Sequence, residues 1–401
     1  MDRILYAPNT KKTGEMPPEG ALFSQEEVRK VLRFHRSMGS KYNETPLCAL
    51  RAFAERVGVG AFYVKDESKR GNLKAFKLLG GSYAVANCIC ARLGVRIEDV
   101  DFDYLKSKEA KEKLGEVVFA AASDGNHGKS VAWAAHEFGQ KAIVYMPKGT
   151  VRDRIAAIEA LGAKVVVSDY SYDWCVREVN RLAALKGWIA VPDTAGEGDA
   201  QVASWVMQGY ATMASEAIAQ LGDASPTHLF LQAGVGSMAA AMTASFAARY
   251  GKDIKIYILE PHQAACYYAS GQAGDGSAHS VDGEMDSIMA GLSCGVPNPL
   301  SWEIIRNLAD GFFSLDDVLT ANGMRILGNP LPGDPRVIAG ESGAVGTGFV
   351  DELAKSYPGL AKKIGLNDHS VVVVFSTEGD TDTQNYREVV WYGKYPYDAL
   401  K

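Results

Sequence analysis

The chain has 401 residues, 47% apolar and 22% charged, with 42 Lys+Arg against 48 Asp+Glu for a formal charge of −6. This composition is that of a globular chain with room for two to three domains; it excludes a disordered or collagen-like polymer and lacks the basic surface that nucleic-acid binding uses. No apolar run is long enough to span a bilayer, Met1–Tyr6 carries no basic region before an apolar block, and the six scattered cysteines suit a reducing compartment. The expectation is a cytoplasmic protein with neither a nucleic-acid nor a membrane partner.

The first strong element is a helix over 24–38. Ser24 and Glu27 form a Ser-x-x-Glu capping box, and Val28, Val31, Leu32 and His35 recur on one helical face. Strands are expected at Ala61–Lys65, Val117–Ala121, Ala142–Tyr145, Val165–Val167, Trp188–Val191, Leu229–Gln232, Ile254–Leu259 and Val371–Phe375. Most are continuous apolar runs, as in strands covered on both faces. Helix-length segments at 151–161, 172–186, 202–221 and 238–250 alternate with them, which predicts the α/β class with parallel sheets. The units are short and regular from about 117 to 191 and looser on either side. That unevenness predicts a smaller α/β domain over 91–194, inserted into a larger one made of 1–90 and 195–401.

Several segments carry polar groups where chemistry is done. Gly125-Asn126-His127-Gly128-Lys129-Ser130 ends like a P-loop, but two residues separate its glycines where four are needed, and Ser123 stands where the first glycine belongs. A P-loop is excluded. Gly234-Val235-Gly236-Ser237-Met238-Ala239 follows a strand and opens a helix, so its backbone N–H groups and the helix dipole suit a phosphate. The same run reads as G-x-G-x-x-A, with Glu260 lying 26 residues past Gly234, so a dinucleotide site stays open, as does a ligand-free turn. Lys77 opens an apolar helix after Lys65-Asp66-Glu67. The dipole there repels a cation and lowers an amine's pKa, which favours imine chemistry, although the pattern by itself also reads as a surface lysine. In Ser123-Asp124-Gly125-Asn126-His127-Gly128 the hydroxyl, amide and backbone N–H groups suit a carboxylate, whereas Asp124 either meets a cation, moves a proton or caps the following helix. Ser376 and Thr377 follow a buried strand, where hydroxyls face either a ligand or a polar turn, and Asp193 follows another strand end.

Taken in order from about Thr45 to Asp382, these segments, with Gly340-Glu341-Ser342-Gly343, resemble the fold-type II pyridoxal-phosphate enzymes, the family of threonine dehydratase and the tryptophan synthase β-chain. Asp124, the Gln232–Met238 loop, Gly328–Arg336 and Ser376–Asp382 are similar to the branch of that family that acts on 2,3-diaminopropionate. The resemblance implies two open, mostly parallel twisted sheets with helices on both faces, a homodimer, and pyridoxal 5'-phosphate as cofactor. It implies that Lys77 forms the Schiff base and that the amides of Gly234, Val235, Gly236, Ser237 and Met238 hold the phosphate. Asn126 then contacts the phenolic oxygen, and Ser376, or Thr377 if the register slips, bonds the pyridine nitrogen. Ser123, Asp124, Gly125 and His127 form the substrate loop, and Lys77, Asp124 and Asp193 are the proton-handling groups. The implied reaction is β-elimination of D- or L-diaminopropionate to pyruvate and two ammonia, in which Asp124 meets the substrate's second amine.

Three alternatives remain at this stage: a serine or threonine dehydratase of the same fold, a Rossmann oxidoreductase using Gly234–Ala239, and a non-catalytic amino-acid sensor. No transition-metal site is expected, because the seven histidines show no ligand spacing. Cys88 and Cys90 read as core, pairing of Cys266 with Cys294 is left open, and Tyr170, Tyr172, Tyr267 and Tyr268 read as packing residues, with a place in the pocket or at a subunit interface as the alternative.

Overall fold

The apolar runs pair edge to edge into two sheets in a computed structural model that describes residues 2–123, 125–196 and 200–397. The strands are β1 (Ile4–Pro8), β2 (Leu47–Ala49), β3 (Ala61–Asp66), β4 (Val118–Ala122), β5 (Lys141–Met146), β6 (Lys164–Val167), β7 (Ile189–Ala190), β8 (His228–Gln232), β9 (Lys255–Pro261), β10 (Gly311–Leu315) and β11 (Val371–Ser376). The larger sheet has the order β1-β10-β9-β8-β11-β3-β2; its inner pairs are parallel and only the edge strands β1 and β2 run antiparallel. The smaller sheet, β6-β5-β4-β7, is wholly parallel. The helices that frame the motifs are α1 (Gln25–Ser37), α2 (Lys77–Leu93), α3 (Asn126–Glu137), α4 (Ala200–Gly209), α5 (Ala211–Leu221), α6 (Ser237–Tyr250), α7 (Cys266–Ala273), α8 (Asp317–Gly328) and α9 (Glu341–Ser356). Among the described residues no helix is long and apolar enough to cross a membrane.

Two units divide the chain. The first comprises Met1–Gly20, Thr45–Lys69 and Ala214–Lys401 and holds the larger sheet; the second comprises Ala21–Glu44 and Arg70–Met213 and holds the smaller one. Segments 21–44, 70–90 and 195–213 therefore group with the smaller sheet, beyond the boundaries expected at 90 and 195. Packing explains this. α2 is buried from Leu78 through Cys90 and is wrapped by α3 and α4, so it is the central helix of the second unit. Its glycines let the neighbours in: a Cβ on Gly81 would overlap Ser130, and one on Gly80 would lie 2.5 Å from the Tyr210 ring.

Local chemistry accounts for the other differences. Ser24 does cap α1, accepting the Glu27 N–H at 3.4 Å, but the Glu27 carboxylate turns to Lys30 instead of closing the box. The continuous helix expected over 202–221 is broken between α4 and α5, where Gly209 packs so closely on Leu79 and Gly80 that a Cβ would lie 2.5 Å from the Leu79 oxygen. Strands β1, β2 and β10 carried no clear sequence signal: β2 is three residues long, β1 ends in proline, and β10 opens with a glycine that β1 needs, since a Cβ on Gly311 would lie 2.9 Å from the Ala7 oxygen.

The core of the first unit gathers Phe230, Tyr257, Phe313 and Phe349 beside Val64, Leu319 and Val372. The Phe313 and Phe349 rings lie 4.6 Å apart, centre to centre. α8 and α9 pack on each other through glycines, and a Cβ on Gly348 would overlap the Leu319 carbonyl. α9 also carries Glu341, Ser342 and Gly343 at its start. Gly348→Ala is therefore expected to destabilise the protein by about 1–3 kcal/mol through overpacking, measured as a lower denaturation midpoint at unchanged slope.

Candidate active site

In the second unit, Lys77 is the first residue of α2. The turn before it is set by Lys74, which sits in the left-handed region at φ 55°; a non-glycine residue held there costs on the order of 1 kcal/mol. A cation at a helix start is opposed by the dipole, and the fold answers with an anion. Lys77 Nζ donates to Asp193 Oδ2 at 2.9 Å, and Tyr172 Oη donates to Asp193 Oδ1 at 2.7 Å. Asp193 lies beyond the end of β7 and is buried. Burial pushes its pKa up, but the Lys77 ammonium and the hydrogen bonds from Lys77 and Tyr172 outweigh burial and hold the carboxyl well below the usual range. Tyr172, read from sequence as packing, is thus a direct partner of an expected site residue.

The loop after β4 is stapled by its own serine. Ser123 Oγ accepts the N–H of Gly125 at 2.9 Å and of Gly128 at 2.8 Å. Gly128 has no room for a side chain, since a Cβ would lie 2.5 Å from Val144. Asn126 opens α3 and is partly buried, and His127 is buried beside it. His127 Nε2 lies 2.7 Å from the Val191 oxygen, which fixes the proton on Nε2, and Nδ1 has no hydrogen-bond partner among the described residues. Burial lowers its pKa and Lys77 adds to that, with Asp193 opposing, so the ring is neutral. Asp124 lies outside the described residues.

In the first unit, the Gly234-Val235-Gly236 turn links β8 to α6. Gly236 adopts φ 93°, and a Cβ there would overlap the Tyr267 hydroxyl. Tyr267 Oη donates to the Val235 oxygen at 2.9 Å, and the Asn298 N–H donates to the same oxygen at 2.8 Å. Asn298 Nδ2 also donates to Ser237 Oγ at 2.9 Å. Two donors thus hold the Val235 carbonyl, leaving the N-terminal amides of α6 in a fixed orientation. Tyr267 read from sequence as a packing residue and Asn298 carried no signal, because each reaches the turn from a distant segment. Glu260, the acid a dinucleotide site would present to a ribose, is turned inward instead: it accepts the N–H groups of Tyr267 at 2.8 Å and Tyr268 at 2.7 Å at the start of α7.

At the end of β11 the two candidate hydroxyls differ. Ser376 Oγ is buried with no hydrogen-bond partner among the described residues, whereas Thr377 Oγ1 accepts from Gln232 Nε2 at 3.1 Å. Gly343 packs on this turn, and a Cβ there would lie 2.7 Å from the Thr377 nitrogen and 3.1 Å from Ser376 Cα. No disulfide forms among the described residues; Cys266 Sγ lies 3.7 Å from the Cys294 oxygen. Cys88 and Cys90 are buried in α2, as expected.

The family described as pyridoxal-phosphate dependent enzymes matches residues 40–376. The chain belongs to this family. Within it, the chain is 47% identical over 399 residues to a diaminopropionate ammonia-lyase of Escherichia coli strain K12, covering 98% of each. It also superimposes on crystal structures of the E. coli diaminopropionate ammonia lyase. With the form in complex with D-serine the TM-score is 0.92 at 46% identity, covering 98% of both chains. With the form in complex with an aminoacrylate-PLP azomethine reaction intermediate it is 0.89 at 45% identity, again covering 98% of both. This member of the pyridoxal-phosphate family therefore has the fold-type II architecture and is a lyase of the β-eliminating kind.

One pH effect follows from the packing under the Gly236 turn. Burial pushes Glu260 up to about 8 against its two backbone hydrogen bonds. A carboxyl whose pKa rises on folding stabilises below its unfolded value and loses that stabilisation as pH climbs through the folded one. Relative to Glu260→Gln, the wild-type melting temperature is expected to fall as pH goes from about 5 to about 9. A difference that stays flat across that range contradicts the assignment.

Proposed function

We propose that this chain removes the β-amine of 2,3-diaminopropionate, in both D and L forms, giving pyruvate and two ammonia. The observation that carries the reading is the Lys77–Asp193 pair at 2.9 Å, in a chain 47% identical along 98% of its length to a diaminopropionate ammonia-lyase. The D-serine complex of the E. coli relative supports acceptance of a D-configured amino acid. Cytoplasmic placement and a homodimer belong to the same reading.

Pyridoxal phosphate, when bound, supplies an electron sink for charge developing at the substrate's α-carbon. The chain's residues suit it. Lys77 Nζ is the amine that holds the cofactor's aldehyde carbon. The amides of Gly234, Val235, Gly236, Ser237 and Met238 hold the phosphate; the pinned Val235 carbonyl and the Gly236 space that a Cβ would fill support this. Asn126 contacts the phenolic oxygen. Ser376, in preference to Thr377, would bond the pyridine nitrogen, because its buried hydroxyl has no partner among the described residues while that of Thr377 is engaged by Gln232. A hydroxyl there brings no formal charge to the ring.

Proton handling falls to the carboxylates and Lys77. Asp193 is ionised because the ammonium of Lys77 helps to outweigh its burial. Once that charge is gone, burial is less opposed and Asp193 becomes a stronger base, at the stage when the α-proton must leave. Asp124 takes the substrate's second, cationic amine and serves as base on the opposite face of the α-carbon. Ser123, Gly125 and His127 shape the loop that receives the carboxylate; Ser123 already spends its oxygen on the loop's own N–H groups.

Two measurements test this reading. Borohydride reduction of the yellow holoenzyme, followed by peptide mapping, is expected to place the pyridoxyl group on Lys77, with kcat/KM for diaminopropionate well above that for serine. A label on another lysine, or a preference for serine, overturns it in favour of another site or a dehydratase. Asp124→Asn is expected to slow one enantiomer about 100-fold or more and the other far less; equal losses, or none, reject the two-base scheme.

A further inference from the structure

Tyr210 sits between α4 and α5, outside every motif discussed so far. Its side chain is 1% exposed. The ring lies 4.7 Å from that of Phe76, centre to centre, and covers Gly80, where a Cβ would come within 2.8 Å of the ring carbon that bears the hydroxyl. Phe76 precedes Lys77 in sequence and Gly80 lies one helical turn after it, so the phenol rests on the face of α2 from which Lys77 projects. The Tyr210 hydroxyl has no hydrogen-bond partner among the described residues. Buried hydroxyls without a partner are destabilising and rare. Phenylalanine would keep the ring packing and avoid that cost, so the oxygen at this position calls for a function.

The charged and titratable groups around it are few. Lys77 lies at the start of α2, and Asp193 beyond β7 is bonded to both Lys77 and Tyr172. Lys77 and Asp193 both act electrostatically on the Tyr210 phenol, which burial keeps protonated by pushing its pKa up to about 12. A protonated phenol is a donor seeking an acceptor. An ammonium offers none, but a neutral amine offers a lone pair.

We propose that Tyr210 is a positioning residue for Lys77: its phenol donates a hydrogen bond to Nζ whenever that amine is neutral and released from the Asp193 ion pair. The inference rests on the role given above to Lys77. No proton changes hands. The bond holds the neutral amine at the start of α2, where it would form its C–N bond to the cofactor's carbonyl carbon while that carbon's bond to the product nitrogen, or in the apo-protein to an oxygen leaving as water, breaks.

The test compares wild type with Tyr210→Phe. In the apo-protein, the rate at which added pyridoxal phosphate is captured, followed by absorbance, is expected to fall about tenfold in the variant. The kcat for diaminopropionate is expected to fall by a similar factor, while the melting temperature stays level or rises. A lower melting temperature with unchanged capture rate and kcat would mean that the hydroxyl serves the fold alone, and would overturn the proposal. Borohydride labelling of both proteins separates the two levels of the argument. A label on Lys77 with unchanged rates rejects the Tyr210 role alone, whereas a label elsewhere rejects the Lys77 reading and this inference with it.

Discussion

A half-buried ion pair at the start of a buried helix governs the second unit. Placing Lys77 at the first position of α2 sets an ammonium against the helix dipole, and burying Asp193 sets a carboxylate against desolvation; each group makes the other tolerable. Loss of the Lys77 charge alone leaves Asp193 with the Tyr172 hydrogen bond and its burial less opposed. The pair is rigid because α2 is enclosed from Leu78 to Cys90 and cannot slide, with Gly80, Gly81 and Gly209 admitting neighbours at distances that no side chain would allow. Rigid placement of a reactive amine is what an enzyme needs from its scaffold.

The first unit solves a different problem, the presentation of backbone groups. Its parallel strands deliver a turn at the end of β8 and hydroxyls at the end of β11, as open α/β sheets do at the carboxyl ends of their strands. The refinement lies behind the turn. Tyr267 and Asn298 hold the Val235 carbonyl, and Glu260 holds the backbone of Tyr267, so a chain of hydrogen bonds runs from a buried acid to the N-terminus of α6. Gly343 lets α9 press against Ser376 and Thr377, which explains the glycine that ends the Gly340–Gly343 motif.

Much of this was legible in the sequence, for physical reasons. Strands buried on both faces leave continuous apolar runs, so β3, β4, β5, β8, β9 and β11 were visible, and with them the α/β class. Phosphate loops need glycines in a fixed order, so Gly234–Met238 stood out, and Lys77 did so once it was set beside them. Edge strands and short strands lack such signals, so β1 and β2 escaped, while in β10, inside the sheet, Gly311 and Ser314 interrupt the apolar run. The grouping of α2 with the smaller sheet depends on its contacts with α3 and α4, which no local pattern reports. The roles of other site residues escaped for the same reason: Tyr172, Tyr267 and Asn298 act through hydrogen bonds to partners distant in the chain, and in sequence they look like any other core or loop residue.

The state of His127 limits how kinetics on this protein are to be interpreted. Its Nε2 proton is committed to the Val191 oxygen, and burial disfavours a second proton on Nδ1. An imidazole held in this way is harder to protonate than one in water. An inflection close to pH 7 in a plot of log kcat is therefore better sought in another group than in this histidine, whose uptake of a second proton burial opposes.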